Sequence, residues 1–278
     1  MKPLIFTLKN LPESPVDLGP LIPDLLAGMN VAQINKLKLT HGKHTINVAR
    51  LFSVTGLDTA NIQIQRSCDK LLYIGKDMGH GTIAVSGDAG DFAGHCMRGG
   101  TIRIHGNAGS WVGNSMHGGL IEIYGNVGDH LGAGKPGDVH GMSNGLIYVT
   151  GDAGDRIGDR MRRGTIIIRG SAGNYCGSRM QAGTIVVLSK TGEYPGWNMK
   201  RGTIVLSGKP THMSATFISC GELKMQFLRL LFKQLSEFGK QYAFFKNYSP
   251  HSHRFAGDLA NKGKGEILIL LQPPSKGK

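Results

Sequence analysis

Gly81-Thr82-Ile83-Ala84-Val85-Ser86-Gly87, Gly100-Thr101-Ile102-Arg103-Ile104-His105-Gly106 and Gly119-Leu120-Ile121-Glu122-Ile123-Tyr124-Gly125 are copies of one pattern. It returns as Gly145-Leu146-Ile147-Tyr148-Val149-Thr150-Gly151, Gly164-Thr165-Ile166-Ile167-Ile168-Arg169-Gly170, Gly183-Thr184-Ile185-Val186-Val187-Leu188-Ser189 and Gly202-Thr203-Ile204-Val205-Leu206-Ser207-Gly208. The interval is 19 residues at every step except Gly119 to Gly145, where it is 26. Outside that interruption each unit runs on as G-x-x-G-x-x-x-G-x-x-M, and Met97, Met116, Met142, Met161, Met180 and Met199 close the units.

Apolar, mostly β-branched residues at alternate positions between glycines read as a short strand with one buried face. Nineteen residues leave no room for a helix beside the strand, so helix-pair repeats and leucine-rich horseshoes fit poorly. The expected fold is mainly β: a right-handed parallel β-helix of about seven 19-residue coils, roughly 30 Å long at about 4.8 Å per coil. Pairs such as Ile83/Val85, Ile102/Ile104 and Ile185/Val187 then stack inward, and the methionines fill the next corner of the core. Asn61 to Met78 reads as a degenerate first coil.

Composition agrees. The chain has 278 residues and 42 glycines, about twice the usual share of roughly 7%. Thirty-two of the 42 lie between Gly75 and Gly208. They do not fall on every third residue, which excludes collagen, and plentiful Ile, Val and Leu argue against disorder. No apolar run is long enough to span a bilayer, and Met1 to Phe6 is too short for a secretory signal. Cys68, Cys96, Cys176 and Cys220 are scattered and form no C-x-x-C, a usage that fits reduced thiols in a cytoplasm.

The flanks lack the glycine period. Residues 1–57 form an α/β cap segment with a short helix over Val31–Lys36, residues 58–210 are the repeat domain, and residues 211–278 form a C-terminal unit. In that unit Leu223, Phe227, Leu228, Leu231, Leu235 and Phe238 predict an amphipathic helix over Phe217–Phe238. Residues 240–262 read as irregular and Glu266–Leu271 as a last strand.

Outward positions carry the information about partners. One column reads Ala84, Arg103, Glu122, Tyr148, Ile167, Val186, Val205, changing from polar to apolar. An outward Ile167/Val186/Val205 stripe with Leu188 beside it needs a cover, either the 217–238 helix or, at an interface, another subunit. A second set, Arg160, Arg162, Arg163, Arg179, Lys200 and Arg201, makes a basic edge. Stacked cations repel, so this edge is either a solvated rim with local pairing to Asp155 and Asp159 or a contact for a polyanion or acidic protein. The formal charge of +13 is unevenly placed: residues 1–155 hold 12 Lys+Arg against 13 Asp+Glu, and residues 156–278 hold 20 against 6.

Several strings mimic known chemistry. Gly132-Ala133-Gly134-Lys135-Pro136-Gly137 matches G-x-G-x-x-G, but no strand–helix unit surrounds it, and Pro136 stands where a P-loop needs Ser or Thr. It lies in the seven-residue insertion, expected to bulge as a contact loop. The Asp88/Asp152 turns do not keep the nine-residue period of a calcium β-roll, and the histidines recur at no fixed place, so no metal site is expected. H-E-x-x-H and G-x-S-x-G are absent, and no catalytic residue is nominated.

At Gly158-Asp159-Arg160-Met161-Arg162-Arg163-Gly164 and Ser178-Arg179-Met180-Gln181-Ala182-Gly183-Thr184-Ile185, the chain resembles the C subunit of formylmethanofuran dehydrogenase and of its bacterial relative, the formyltransferase/hydrolase complex. The wider fold family includes the glycine-repeat domain of glutamate synthase. The resemblance is strong over Asn61 to Gly208 and weaker over Pro20–Gly28, which favours the bacterial complex. It implies a subunit without an active site of its own, set among A (amidohydrolase-like), B and D (formyltransferase) subunits. It also implies formyl transfer from tetrahydromethanopterin to a methylofuran carrier with a polyglutamate tail, release of formate, and zinc on another subunit. The tail or an acidic partner is then the natural counterpart of Arg160, Arg162, Arg163, Arg179, Lys200 and Arg201. The alternatives are the C subunit of a molybdenum or tungsten dehydrogenase of methanogenesis, a free-standing enzyme, and a basic nucleic-acid-binding solenoid. The last lacks a recognition module and displays no aromatic platforms along its basic edge.

Overall fold

The computed structural model describes residues 2–271. The N-terminal segment contains β1 (Pro3–Leu8), β2 (Val16–Asp17), α1 (Pro23–Leu26), α2 (Val31–Lys36), β3 (Lys38–His41), β4 (His44–Asn47), α3 (Val48–Leu51) and β5 (Phe52–Thr55). Helix α2 starts where Asn30 and Gln33 form a reciprocal cap: each side-chain oxygen accepts from the other's backbone N–H at 2.9 Å. The repeat supplies β6 (Asp58–Ser67), β7 (Leu71–Leu72), β8 (Thr82–Gly87), β9 (Thr101–Ile104), β10 (Leu120–Ile123), β11 (Leu146–Val149), β12 (Thr165–Ile168), β13 (Thr184–Val187) and β14 (Arg201–Leu206). The C-terminal unit adds β15 (Ile218–Lys224), α4 (Gln226–Glu237), a 3-10 segment (Lys240–Asn247), β16 (His251–Gly257) and β17 (Lys264–Leu270).

Thirteen strands form one large, mostly parallel sheet in the order β15-β16-β17-β14-β13-β12-β11-β10-β9-β8-β6-β1-β5. From β8 to β14 every pair keeps the same register: Ile83 faces Ile102, Ile121, Ile147, Ile166, Ile185 and Ile204 in turn. A second ladder of single parallel bridges joins Ala89, Ala108, Val127, Ala153, Ala172 and Thr191. The aspartates and asparagines of these turns bind from rung to rung. Asp88 Oδ1 accepts from Asn107 N at 2.7 Å, Asn107 Oδ1 from Asn126 N at 2.9 Å, and Asn126 Oδ1 from Asp152 N at 2.8 Å.

The expected inward pairs and all the repeat methionines are fully buried in one core that runs from Leu4 to Ile267. Glycine is required where that core is tightest. Gly119 has φ +95°, and a Cβ there would lie 2.7 Å from Met97 Cε. Gly113 has φ +64°, and its Cβ would lie 2.5 Å from Ile147 Cδ1. The methionine and isoleucine of one unit thus fill the space left by a glycine of another, which ties the three residue types to one period.

The flanks differ from expectation in two places. The helix predicted over Phe217–Phe238 is shorter: β15 replaces its first turns, because Gly221 takes φ +78° and the chain pairs antiparallel with β16. Residues 240–262 are not irregular; the 3-10 segment buries Tyr242 and Phe245, and β16 pairs with β17. Strand β17 lies parallel to β14 with Ile204 opposite Ile267 and continues the stack. At the other end β1 lies parallel to β6, Phe6 opposite Ile64, so the N-terminal segment shares the core of the repeat.

Candidate functional site

The outward column that begins with Ala84 becomes a docking floor for the chain's own C-terminal unit. Ile167, Val186 and Val205 are fully buried in a cluster with Leu228, Leu231, Phe232, Leu235 and Leu268. These three are therefore not open to another subunit, because α4 and the 3-10 segment cover them. Leu188 is only partly buried. At the polar end of the column Glu122 is fully buried and accepts from Arg103 Nε at 2.8 Å, Tyr242 Oη at 2.8 Å and Gln241 Nε2 at 2.7 Å. Two of these donors belong to the 3-10 segment, so the carboxylate latches the C-terminal unit to the sheet. Burial, and then the Glu122 charge, push the Tyr242 phenol far above its ordinary value, which keeps it a donor.

The basic edge divides into pinned and free cations. Arg179 is ion-paired to Asp159 through two contacts, its Nε lying 2.9 Å from Oδ1, and Ser178 Oγ donates to the same carboxylate at 2.8 Å. Arg160 Nη1 donates to the carbonyl of Asp138 at 2.7 Å and of Lys135 at 3.3 Å. Both arginines have positive φ and act as staples. Asp155, expected as a pairing partner for the rim, instead accepts from Asn174 N at 2.7 Å. Arg162, Arg163, Lys200 and Arg201 remain exposed, without an ion pair among the described residues, and Lys264 stands opposite Arg201 on the next strand. Their strands are about 5 Å apart per rung, close enough for one extended anion to span several.

The insertion does not bulge freely. Asp138 Oδ2 accepts from Lys135 N at 2.9 Å, Arg160 holds its carbonyls, and Lys135 Nζ lies 4.4 Å from the centre of the Phe92 ring. Only its tip, Pro136, Gly137 and Val139, is exposed. Burial and the Lys135 charge push His95 beneath it below the ordinary imidazole value.

Sequence reasoning missed a column of rings. Tyr73, Phe92, Trp111 and His130 stack in succession, with centroids 4.9, 6.1 and 4.0 Å apart, Arg156 covers Tyr175 at 5.0 Å, and Tyr175 stacks on Tyr194 at 5.9 Å. All seven residues have positive φ. The signal was present in Gly90-Asp91-Phe92, Gly109-Ser110-Trp111, Gly128-Asp129-His130 and Gly173-Asn174-Tyr175, but changing residue types disguised it. This column stands beside Asp91, Asp129 and Asp155, whereas the expectation of no aromatic platforms concerned the basic edge of Arg162, Arg163, Lys200 and Arg201.

Among the described residues no group of three or more His, Cys, Asp or Glu is arranged to hold a metal ion, and no helix is long and apolar enough to cross a membrane. All four cysteines are free, and burial pushes the Cys176 thiol up to about 12.

Four- to six-residue strands stacked in constant register, with glycine and methionine at fixed corners, define a glycine-repeat stacking protein that presents columns of like residues. The chain belongs to the GXGXG motif family, whose model matches residues 39–230. It is similar to the C subunit of tungsten-containing formylmethanofuran dehydrogenase 2 from Methanococcus maripaludis, with 34% identity over 92 residues, covering 32% of this chain and 34% of that one. The homologous subunit of Methanothermobacter thermautotrophicus is 37% identical over 99 residues, 34% of this chain and 37% of that one. The matches thus span about a third of the length of these curated relatives. A chain of the FhcABCD formyltransferase/hydrolase complex of Methylorubrum extorquens, solved in complex with methylofuran, superposes with a TM-score of 0.87 at 32% identity, over 96% of this chain and 100% of that one.

Proposed function

We propose that this chain is the scaffold subunit of a formyltransferase/hydrolase complex, in the place of the C subunit. The carrying observation is the likeness to a chain of the Methylorubrum complex over 96% of this chain and all of that one, which takes in the N- and C-terminal units. The methanogen dehydrogenase subunits match in sequence over about a third of their length, and we follow the hydrolase type on the strength of the structural likeness. The stacked units are read as a right-handed parallel β-helix of about seven coils, on the strength of the 19-residue register and the usual hand of parallel crossovers.

In this reading the reaction is conversion of formyl-tetrahydromethanopterin to formate through a methylofuran carrier in the cytoplasm, and the chemistry lies on amidohydrolase-like A, B and formyltransferase D subunits. Any zinc belongs to one of those chains, since the described residues here offer no ligand set. Arg162, Arg163, Lys200 and Arg201 contact the carboxylate-rich tail of the carrier or an acidic face of a partner. Arg160 and Arg179 support that edge from within by fixing the insertion and Asp159. Charge reversal at Arg162 and Arg163, followed by co-purification and formyl-transfer assay, tests the contact. Loss of a partner or of transfer is expected, and wild-type assembly with wild-type activity discards it.

A further inference from the structure

The C-terminal unit leaves a hollow where it meets the sheet. Just beyond Ile168, Val187, Leu206 and Ile269, which stand in register on β12, β13, β14 and β17, the chain turns outward again at Arg169, Leu188, Ser207 and Leu270. Phe244, Tyr248 and Ser249 close over this column and leave a cavity of about 550 Å³. It lies at the opposite end of the strands from Arg162 and Arg163.

Its chemistry is one-sided. Arg169 is the single charged residue in the lining, no Asp or Glu contributes, and its guanidinium lies 4.8 Å from the Phe244 ring centre without an ion pair among the described residues. Behind it, outside the cavity lining, stands the fully buried Tyr148: burial pushes its phenol pKa up, and the neighbouring Arg169, as a hydrogen-bond donor and a charge, acts against that push. Ser249 Oγ accepts from His251 N at 3.2 Å, which leaves its own proton to donate. Arg169, exposed at the hollow and without an acidic partner there, and the Ser249 hydroxyl are donors, and a carboxylate supplies an acceptor for both. Leu188, Leu270 and Leu271 give the cavity an apolar wall beside the polar Ser207 and Asn247.

We infer that this hollow is a binding site for a carboxylate carried on a short apolar stem, whether a free acid or an acidic side chain of a neighbouring subunit. Arg169 grips the carboxylate, and the leucines and Phe244 hold the stem. The site does not depend on the proposed role in formyl transfer.

The test is calorimetric titration of the full chain with hexanoate and its neutral isostere hexanamide. Hexanoate is expected to bind saturably and at least about tenfold more tightly than hexanamide, as befits a charge-assisted contact. Arg169→Gln should remove that preference while leaving the fold intact by circular dichroism. Equal binding of the two probes, no binding of hexanoate, or an unchanged preference in Arg169→Gln overturns the inference. Repeating the titration on the natively purified assembly separates the sources: retained binding marks a site for a free acid, and binding seen only with the isolated chain marks a socket filled by a neighbour's carboxylate.

Discussion

Removing the Glu122 carboxylate should release the C-terminal unit while the stacked strands stay folded. Glu122→Ala deletes the acceptor of three donors at once: Arg103, Tyr242 and Gln241. The Arg103 side chain is 42% exposed and regains water, so the loss of its pairing is small. Tyr242 is fully buried, and its orphaned hydroxyl costs about 1–3 kcal/mol. With the lost packing around it, a local destabilisation of about 2–4 kcal/mol follows, below the ~3–5 kcal/mol typical of a fully buried broken pair. Because both latch donors from the C-terminal unit lie in Lys240–Asn247, hydrogen exchange should speed up there and in α4, with β9 to β13 unchanged. A Glu122→Ala/Tyr242→Phe double-mutant cycle should give a coupling of about 1–2 kcal/mol. The folded Tyr242 pKa is raised, so its contribution is fully present below the ordinary tyrosine value of about 10 and is lost as the pH rises beyond it, at up to about 1.4 kcal/mol per pH unit. Tyr242→Phe should flatten that alkaline limb. Unchanged exchange in α4 together with an unchanged melt in Glu122→Ala refutes the latch.

Gly119→Ala should destabilise the chain by about 2–4 kcal/mol in a denaturant melt, from left-handed strain and overpacking against Met97; a loss below about 0.5 kcal/mol would contradict the corner packing. Cys176, buried and with its pKa pushed up to about 12, should resist alkylation at pH 8 in the native state, whereas exposed Cys220 should react, as mapped by peptide mass spectrometry. Arg179→Ala should cost about 2 kcal/mol through the stranded Asp159, while exposed Arg162→Ala stays within about 0.5 kcal/mol in the same melt.

The repeat was legible because backbone geometry forces it. Ile102 and Ile104 must alternate with Arg103 if one face is buried, and a glycine must recur wherever Met97 or Ile147 needs its space. Helix α2 was legible to the residue, Asn30 and Gln33 supplying its start. The boundary between β15 and α4 was not, since Leu223 and Phe227 fit a helical period and only pairing with β16 draws Leu223 into a strand. On the basic edge the residue types were visible but their roles were not. Arg160 and Arg179 look like Arg162 and Arg163 in sequence, and their separation into staples and free charges depends on Asp159 and the inserted loop lying one rung away. The ring column escaped because Phe92, Trp111, His130 and Arg156 share a backbone conformation rather than a side-chain type.

Native mass spectrometry of the protein purified from its own cells bears most directly on the scaffold role. A heteromeric assembly containing this 29.8 kDa chain, other subunits and a bound carboxylate-rich carrier is the expected result. A lone chain or an assembly of identical copies, with formyl transfer proceeding in its absence, would contradict it.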